Sequence, residues 1–211
     1  MNTDKLIDEL VADFRTVRPH RQSMILAIVL STLASGGLFF LLVGFRPDAL
    51  QAMLTLRFLF KFVVTLTLSA TAIPVVLRIG VPSRDTRAFP VHLAFAPGLL
   101  VLAVILEMQV IPRELWAQKL VGVNSVHCLT MIPALALPIL AAQFVALRQG
   151  APESPAAAGA VAGIVATAIS ATFYASNCTD DSPLFVATWY PLAGVIVIGL
   201  GAWAGSRLLR W

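Results

Sequence analysis

The chain has 211 residues, of which 58% are hydrophobic and 12% are charged. An ordinary soluble domain carries about 25% charged residues, so this composition excludes a soluble globular protein and predicts a membrane protein. The formal net charge of +4 does not indicate nucleic-acid binding, because membrane proteins concentrate Lys and Arg in their cytoplasmic loops. At about 20 residues for each span, we expect six or so helices, no sizeable soluble domain and no direct contact with nucleic acid.

Residues 1–23 are too charged to insert into a bilayer and form a predicted cytoplasmic tail. Within this tail, Leu6, Leu10, Phe14 and Val17 recur at three- and four-residue spacing, which predicts a short amphipathic helix. Such a helix either lies on the lipid bilayer with its arginines on the headgroups, or offers its apolar stripe to a groove on a soluble partner. The tail sequence leaves both interpretations open.

The remainder, residues 24–211, is predicted to be a bundle of six transmembrane helices. Six apolar runs are each long enough to cross a hydrocarbon core about 30 Å thick. They cover residues 24–43, 58–79, 91–111, 129–147, 156–174 and 184–203. The predicted fold class is therefore an all-α, polytopic membrane protein. Two GxxxG motifs, Gly159 with Gly163 and Gly201 with Gly205, predict close packing between helices of the same chain.

The distribution of Lys and Arg predicts the orientation of these spans. With both termini inside, ten of the 15 basic residues fall on the cytoplasmic side, which favours an N-in, C-in topology. The two cysteines, Cys128 and Cys178, then lie outside at the ends of neighbouring spans. In a bacterium that compartment is the periplasm, where disulfides persist.

Cys128 and Cys178 are the residues with the most distinctive chemistry. They are candidates for a disulfide or for a thiol sensor, and the alternatives are an inert bridge or two buried apolar thiols. A metal site would require His127, Asp180 or Asp181 to complete the ligand set around the two sulfurs. We predict no dedicated metal site and no cofactor.

Lys61 and Glu107 are ionisable residues within predicted spans, both close to the outer face. We expect them either to pair with each other or to reach the headgroup region separately. No charge falls at the middle of a span and no catalytic motif is present, which disfavours a transporter and an enzyme. Trp189 and Tyr190 fit an aromatic belt at the membrane surface.

Four short motifs give the chain a specific resemblance. They are HC at residues 127–128, LRQGAP at 147–152, NCTDDSPLFVATWY at 177–190 and LLRW at 208–211. With the charged tail and six spans, the chain resembles the NrsF-type anti-sigma factors over essentially its whole length. The family often has a histidine before the second cysteine, where this chain has Asn177, and this difference argues against a direct metal site.

The resemblance implies a protein of the bacterial inner membrane whose partner is an extracytoplasmic-function sigma factor of the sigma F type. It also implies release of that sigma factor on a stress signal, with both cysteines involved in sensing. Together with the candidate sigma-binding stripe of the tail, this forms the working hypothesis. The alternative is a small membrane transporter or a structural membrane protein.

Overall fold

The computed structural model describes residues 20–80 and 89–209. Its helices are α1 (His20–Leu42), α2 (Ala49–Ala52), α3 (Leu56–Ile79), α4 (Phe89–Val110), α5 (Trp116–Val121), α6 (Ser125–Leu147), α7 (Pro155–Ala175) and α8 (Pro183–Leu208), with a 3-10 turn at Arg113–Leu115. Within these described ranges, all except α2, α5 and the 3-10 turn are long and apolar enough to cross a membrane, giving six candidate spans. The predicted all-α fold with six spans is confirmed.

Hydroxyl side chains and prolines set the start of several helices. Thr55 caps α3 by accepting a hydrogen bond from the Phe58 amide, and Ser154 caps α7 in the same way from Ala157. Ser182 caps α8 by accepting from the Leu184 amide. Proline follows the cap directly in α7 and α8, where its missing N–H would have no helical partner. Local sequence therefore specifies these boundaries.

The α7 helix occupies the centre of the bundle. In the apolar stretch of α7, 67% of the residues are buried inside the bundle. The corresponding share for α4 is 17%, so α4 lies at the periphery. Small side chains make this central position possible. A Cβ at Gly159 would collide with the Gly201 carbonyl oxygen of α8, and one at Gly163 would lie 2.8 Å from the Ile198 Cα. The two GxxxG motifs therefore pack α7 against α8 within one chain, as predicted.

Two helices begin earlier than their apolar runs suggest. The described part of α1 is His20–Leu42, so residues 20–23 of the predicted tail are helical. The α6 helix begins at Ser125 rather than at residue 129, so Cys128 lies in its first turn and not in a preceding loop. Hydropathy identifies the part of a helix that crosses the apolar layer, and polar residues extend each of these helices beyond it.

Candidate functional site: the cysteine loop and its ion pairs

The connections at residues 43–55, 111–124 and 176–182 lie together at one end of the bundle, which we call the loop end. The α7–α8 connection, residues 176–182, is called the cysteine loop because it contains Cys178. It is bound to the α1–α3 connection: the Arg46 amide donates to the Ser176 carbonyl at 3.3 Å, and Asn177 Nδ2 donates to the Gly44 carbonyl at 3.3 Å. The cysteine loop therefore has a defined position against α1 and α3.

Four charged side chains beside the cysteine loop form what we call the ion-pair node, namely Arg46, Asp48, Lys61 and Asp181. Arg46 Nη1 lies 3.0 and 2.9 Å from the two carboxylate oxygens of Asp181. The Nε and Nη2 atoms of Arg46 donate to Asp48 at 2.6 and 2.7 Å. Lys61 Nζ lies 2.6 Å from Asp181 Oδ1. Two bases and two acids balance each other in the node.

The two bases of the node are enclosed by protein. Lys61 is 0% exposed and Arg46 is 7% exposed, and both cations lie over the Phe58 ring, at 5.1 and 5.5 Å from its centroid. The hydrogen bond to Asp48 raises the pKa of Arg46 well above its ordinary value, and the same contact lowers the pKa of Asp48. Buried charges are tolerated only when paired, so removing one member leaves another uncompensated.

The node also holds the backbone of the cysteine residue. The Cys178 carbonyl accepts a hydrogen bond from Lys61 Nζ at 2.8 Å and another from Arg46 Nη1 at 3.3 Å. Hydrogen bonds from charged donors are about twice as strong as those between neutral groups. The position of Cys178 therefore depends directly on the two bases.

Both thiols are free and buried in one apolar cluster. Cys128 is 0% exposed and Cys178 is 1% exposed, and the cluster also contains Tyr174, Phe185 and Tyr190. Cys178 Sγ lies 3.7 Å from the Asp180 carbonyl oxygen. Burial raises the pKa of the Cys178 thiol, and the charge of Lys61 opposes this only in part. The thiol must lose its proton before it can bind a metal or attack a disulfide.

Asp180 connects the cysteine loop to the turn before α6. Its Oδ2 atom accepts hydrogen bonds from the amides of Val123 and Asn124, at 2.9 and 2.8 Å, and from Asn124 Nδ2 at 2.9 Å. Gly122 has φ of +59°, and a Cβ there would lie 2.7 Å from the Asp180 carboxyl carbon. Tyr174 Oη donates to the Asn124 carbonyl at 3.2 Å. The segment leading to Cys128 is thus attached to the loop that carries Cys178.

Lys61 and Glu107 do not pair with each other. Lys61 binds Asp181, whereas Glu107 Oε1 accepts from Ser182 Oγ at 3.2 Å and lies 3.4 Å from Arg57 Nη2. Neither reaches out of the protein, since Lys61 is 0% and Glu107 is 6% exposed. The expected pairing between them is therefore corrected: Asp181 of the cysteine loop binds Lys61, whereas Glu107 faces both Ser182 of that loop and Arg57 of α3.

His127 is exposed on the first turn of α6, apart from the buried thiols. Asp180 and Asp181 are engaged with backbone amides and with the node. Among residues 20–80 and 89–209, no three His, Cys, Asp or Glu side chains are grouped so that they could hold a metal ion. The described geometry brings the predicted residues into one region but not into a metal-binding cluster.

Comparison with known proteins assigns the chain to a family. The model of a family described as NrsF, negative regulator of sigma F, matches residues 10–211. The chain belongs to this family. It is 35% identical over 216 residues to the anti-sigma-F factor NrsF of Caulobacter vibrioides, covering 100% of both chains. It is 28% identical over 214 residues to a probable anti-sigma-F factor NrsF of Azospira oryzae, again covering 100% of both. No solved structure matches the chain.

For this NrsF family member, the candidate sigma-binding residues lie outside the described part of the chain. These residues are Leu6, Leu10, Phe14 and Val17, and the family match includes the last three. The amphipathic tail helix and its contact with a sigma factor stay predictions.

The sequence interpretation missed Arg46 and Asp48 and misplaced Tyr190. A signal for Arg46 was available: two adjacent acids, Asp180 and Asp181, border an apolar run and require bases from the same end of the bundle. Tyr190 is 6% exposed and packs in the thiol cluster, so its assignment to a surface aromatic belt was wrong. Its neighbour Trp189 donates to the Leu120 carbonyl at 2.8 Å and connects α8 to α5.

Proposed function

We propose that this chain is a membrane anti-sigma factor that holds an extracytoplasmic-function sigma factor of the sigma F type and releases it on a stress signal. The observation that carries the proposal is the family match over residues 10–211, with full-length relatives named anti-sigma-F factors. Six candidate spans are consistent with an inner-membrane location. The role is regulatory, and no enzymatic step is part of it.

In this proposal both termini face the cytoplasm and the loop end faces the periplasm. The excess of Lys and Arg on the terminal side supports that orientation. The tail presents Leu6, Leu10 and Phe14 to a groove on the sigma factor, with Val17 extending the same stripe. The cysteine loop then lies across the membrane from the sigma factor, and the bundle carries the signal between them.

The sensing step begins at the buried thiols. A soft metal cation would displace the thiol protons of Cys128 and Cys178 and bind the two sulfurs. An oxidant would instead remove two electrons and two protons from the pair, and the two sulfurs would form a disulfide. Either reaction changes the packing between the first turn of α6 and the cysteine loop. The contacts of Asp180 and of the node support a path from that change to α1 and α3.

Co-purification with the sigma factor tests the core of the proposal. The full chain, extracted in detergent from cells expressing a tagged copy, should retain its sigma factor. The triple variant Leu6→Asp, Leu10→Asp and Phe14→Asp should lose it, because each lost apolar contact weakens binding by roughly 1.5–3 kcal/mol. Ala12→Asp with Thr16→Asp, which adds two charges away from the stripe where the triple variant adds three on it, is the control for added charge. If the triple variant still retained the sigma factor, the tail would not be part of the interface. If the parent chain retained no sigma factor, the proposed function would be contradicted.

A second experiment addresses sensing separately from sigma binding. Cys128→Ser and Cys178→Ser are scored for sigma-dependent transcription with and without cadmium or an oxidant. Both variants should lose the response while retaining sigma binding. A normal response by both would place the sensor elsewhere and leave the anti-sigma role intact.

A further inference from the structure

The connection between α1 and α3, residues 43–55, carries an exposed apolar surface. The predicted spans leave most of this segment between two apolar runs. In the structure Leu50 and Leu54 are 82% and 88% exposed, and Phe45 and Met53 are also exposed. We call these four side chains the connection patch. Exposed apolar patches mark contacts with a membrane or with another protein, and the described residues do not cover this one.

The connection patch continues the sides of two candidate membrane spans. Near the end of α1, Leu41 is 85% exposed, and at the start of α3, Leu56 is 83% exposed. Both helices are long and apolar enough to cross a membrane, so their outward side chains contact acyl chains. A lipid cover that begins on α1 and α3 therefore extends over the patch, whereas a protein partner would have to displace lipid at both edges.

The backbone of the connection suits an apolar surrounding. The amides of four successive residues, from Ala52 to Thr55, donate to carbonyls three or four positions earlier at 2.8–3.2 Å. The Thr55 hydroxyl also donates to the Ala52 carbonyl, at 2.7 Å. Backbone groups without a partner are costly in lipid, so a segment that satisfies these groups internally can lie where an ordinary loop cannot.

The charges of the connection are also compatible with a bilayer surface. Its charged residues are Arg46 and Asp48, and they pair with each other at 2.6 Å. Arg46 is buried against the cysteine loop, whereas Asp48 and Gln51 are exposed and supply polar groups for the headgroup region. A segment with exposed apolar side chains beside such polar groups lies in the interfacial plane of a bilayer.

We propose that the α1–α3 connection is an interfacial membrane segment, whose patch enters the leaflet on the side of the loop end. Its partner is the acyl-chain layer of that leaflet. Because Arg46 belongs to the same segment, the leaflet then contributes to holding Arg46 against Asp181 and the Cys178 carbonyl. The proposal does not depend on the anti-sigma function.

The accessibility of a spin label in lipid vesicles tests the contact. Leu54→Cys in the full chain is labelled with a methanethiosulfonate nitroxide and reconstituted with phosphatidylethanolamine and phosphatidylglycerol. The native thiols are buried, so a brief reaction modifies the introduced cysteine first, and the parent chain gives the background. Collisions of the label with oxygen, which concentrates in lipid, are compared with its collisions with a water-soluble nickel chelate.

Two reference positions calibrate the measurement. Leu41→Cys, on the candidate span α1, has nearly the exposure of Leu54, and Glu114→Cys replaces an exposed acid at the loop end. We expect the ratio of oxygen to chelate collisions at Leu54 to lie close to that at Leu41 and several-fold above that at Glu114. A ratio like that at Glu114 would overturn the proposal. Protection from both reagents would also overturn it, and dipolar broadening that is lost on dilution with unlabelled chain would then assign the patch to a second copy.

A pair of double variants tests the hold on the cysteine loop. Leu50→Asp with Leu54→Asp places two charges where acyl chains would lie, so the segment should leave the leaflet and hold Arg46 less firmly. Labelling of the native cysteines by N-ethylmaleimide in vesicles should become about three- to tenfold faster, because local opening becomes more frequent. Leu50→Phe with Leu54→Phe keeps the patch apolar and should label at the parent rate. Equal rates in the Asp and Phe variants would overturn the link between the leaflet and Arg46.

Discussion

The α7–α8 crossing and the loop end are both tightly packed, but different forces hold them. At the crossing, Gly159 and Gly163 meet Gly201 and Gly205 at backbone distance, and shape alone determines the fit. At the loop end, the buried ion-pair node holds the cysteine loop. A steric fit between two backbones does not depend on charge, whereas an ion pair weakens when one partner is lost or is neutralised by protonation. The bundle thus combines a fixed centre with an end that chemistry can change.

The largest effect is expected at the crossing. Gly159→Leu would drive a side chain into the carbonyl of Gly201, and the atoms nearest to it belong to the α8 backbone, which cannot rotate away. Overpacking of a core costs about 1–3 kcal/mol and sometimes more, so with a backbone collision we expect about 3 kcal/mol or greater. Detergent-extracted protein should show loss of the cooperative thermal transition or a large fall in Tm.

Gly199→Leu is the matched control. Gly199 lies on α8, the helix that Gly159 of α7 faces, but a Cβ at Gly199 meets nothing within 4 Å. This variant should unfold close to the parent Tm. Similar destabilisation at both glycines would show that the added side chain by itself, and not the crossing, explains the loss.

The next largest effect is expected at the node. Lys61→Met keeps the length of the stem but removes one of the two cations that face Asp181 and one donor to the Cys178 carbonyl. Removing one member of a buried pair costs about 3–5 kcal/mol, and Arg46 still faces Asp181, so we expect a value near 3 kcal/mol. For a chain of this size the Tm should fall by roughly 6–12 °C.

Arg57→Met serves as the control for Lys61→Met. The Arg57 side chain is 51% exposed and lies 3.4 Å from Glu107. Solvent screens Arg57, but Glu107 is buried and keeps only its hydrogen bond to Ser182 when Arg57 is gone, so we expect a loss of about 1–2 kcal/mol, smaller than that of Lys61→Met. If the Tm of both variants falls by the same amount, burial does not explain the contribution of Lys61 to stability.

These two regions also differ in how far the sequence predicts them. The spans follow from long apolar runs, and the crossing follows from glycines at four-residue spacing, which are both local patterns. The node does not follow from a local pattern, because Arg46 and Asp181 are 135 positions apart in the sequence. Their contact depends on how α1, α3 and α7 pack. Sequence reasoning placed Asp181 and Lys61 at the correct end of the bundle. It could not pair them, since five bases shared that predicted side.

The start of α6 shows a second limit of local patterns. Ser125 and His127 lower the hydropathy before the apolar run, so the prediction began the span at residue 129 and placed Cys128 before it. In the structure these residues form the first turn of α6, which directs Cys128 into the core. Apolar length identifies a span, but it does not locate the start of this helix, where Asp180 holds the preceding turn through the amides of Val123 and Asn124.

A smaller effect is expected from the contact between Asp180 and the turn before α6. Asp180→Asn keeps the shape but replaces a charged acceptor of three hydrogen bonds by a neutral one. Charge-assisted hydrogen bonds are about twice as strong as neutral ones, so we expect a loss of about 1–2 kcal/mol. Maleimide labelling of the two buried cysteines should also become faster, because the turn and the cysteine loop separate more easily.

Thr179→Ala is the control for Asp180→Asn. It removes one neutral, exposed hydrogen bond, in which Asn124 Nδ2 donates to Thr179 Oγ1 at 2.9 Å. Its Tm and labelling rate should remain near those of the parent. Unchanged labelling in Asp180→Asn would mean that Asp180 does not control access to the thiols.

The smallest effect is expected at the exposed edge of the node and depends on pH. Contact with Arg46 lowers the pKa of Asp48 from its ordinary value of 3.8. A carboxyl whose pKa is lower in the folded protein stabilises it above the unfolded pKa, and that contribution disappears as the pH falls through the folded pKa. The Tm of Asp48→Asn should therefore lie below that of the parent at neutral pH, and the difference should shrink below about pH 4. The Asp48 side chain is 47% exposed, so added salt should also reduce the difference by screening. Tm measured from pH 3 to 7 at two salt concentrations provides the check. A difference that grows in acid would contradict the assignment of Asp48 as a charged partner of Arg46.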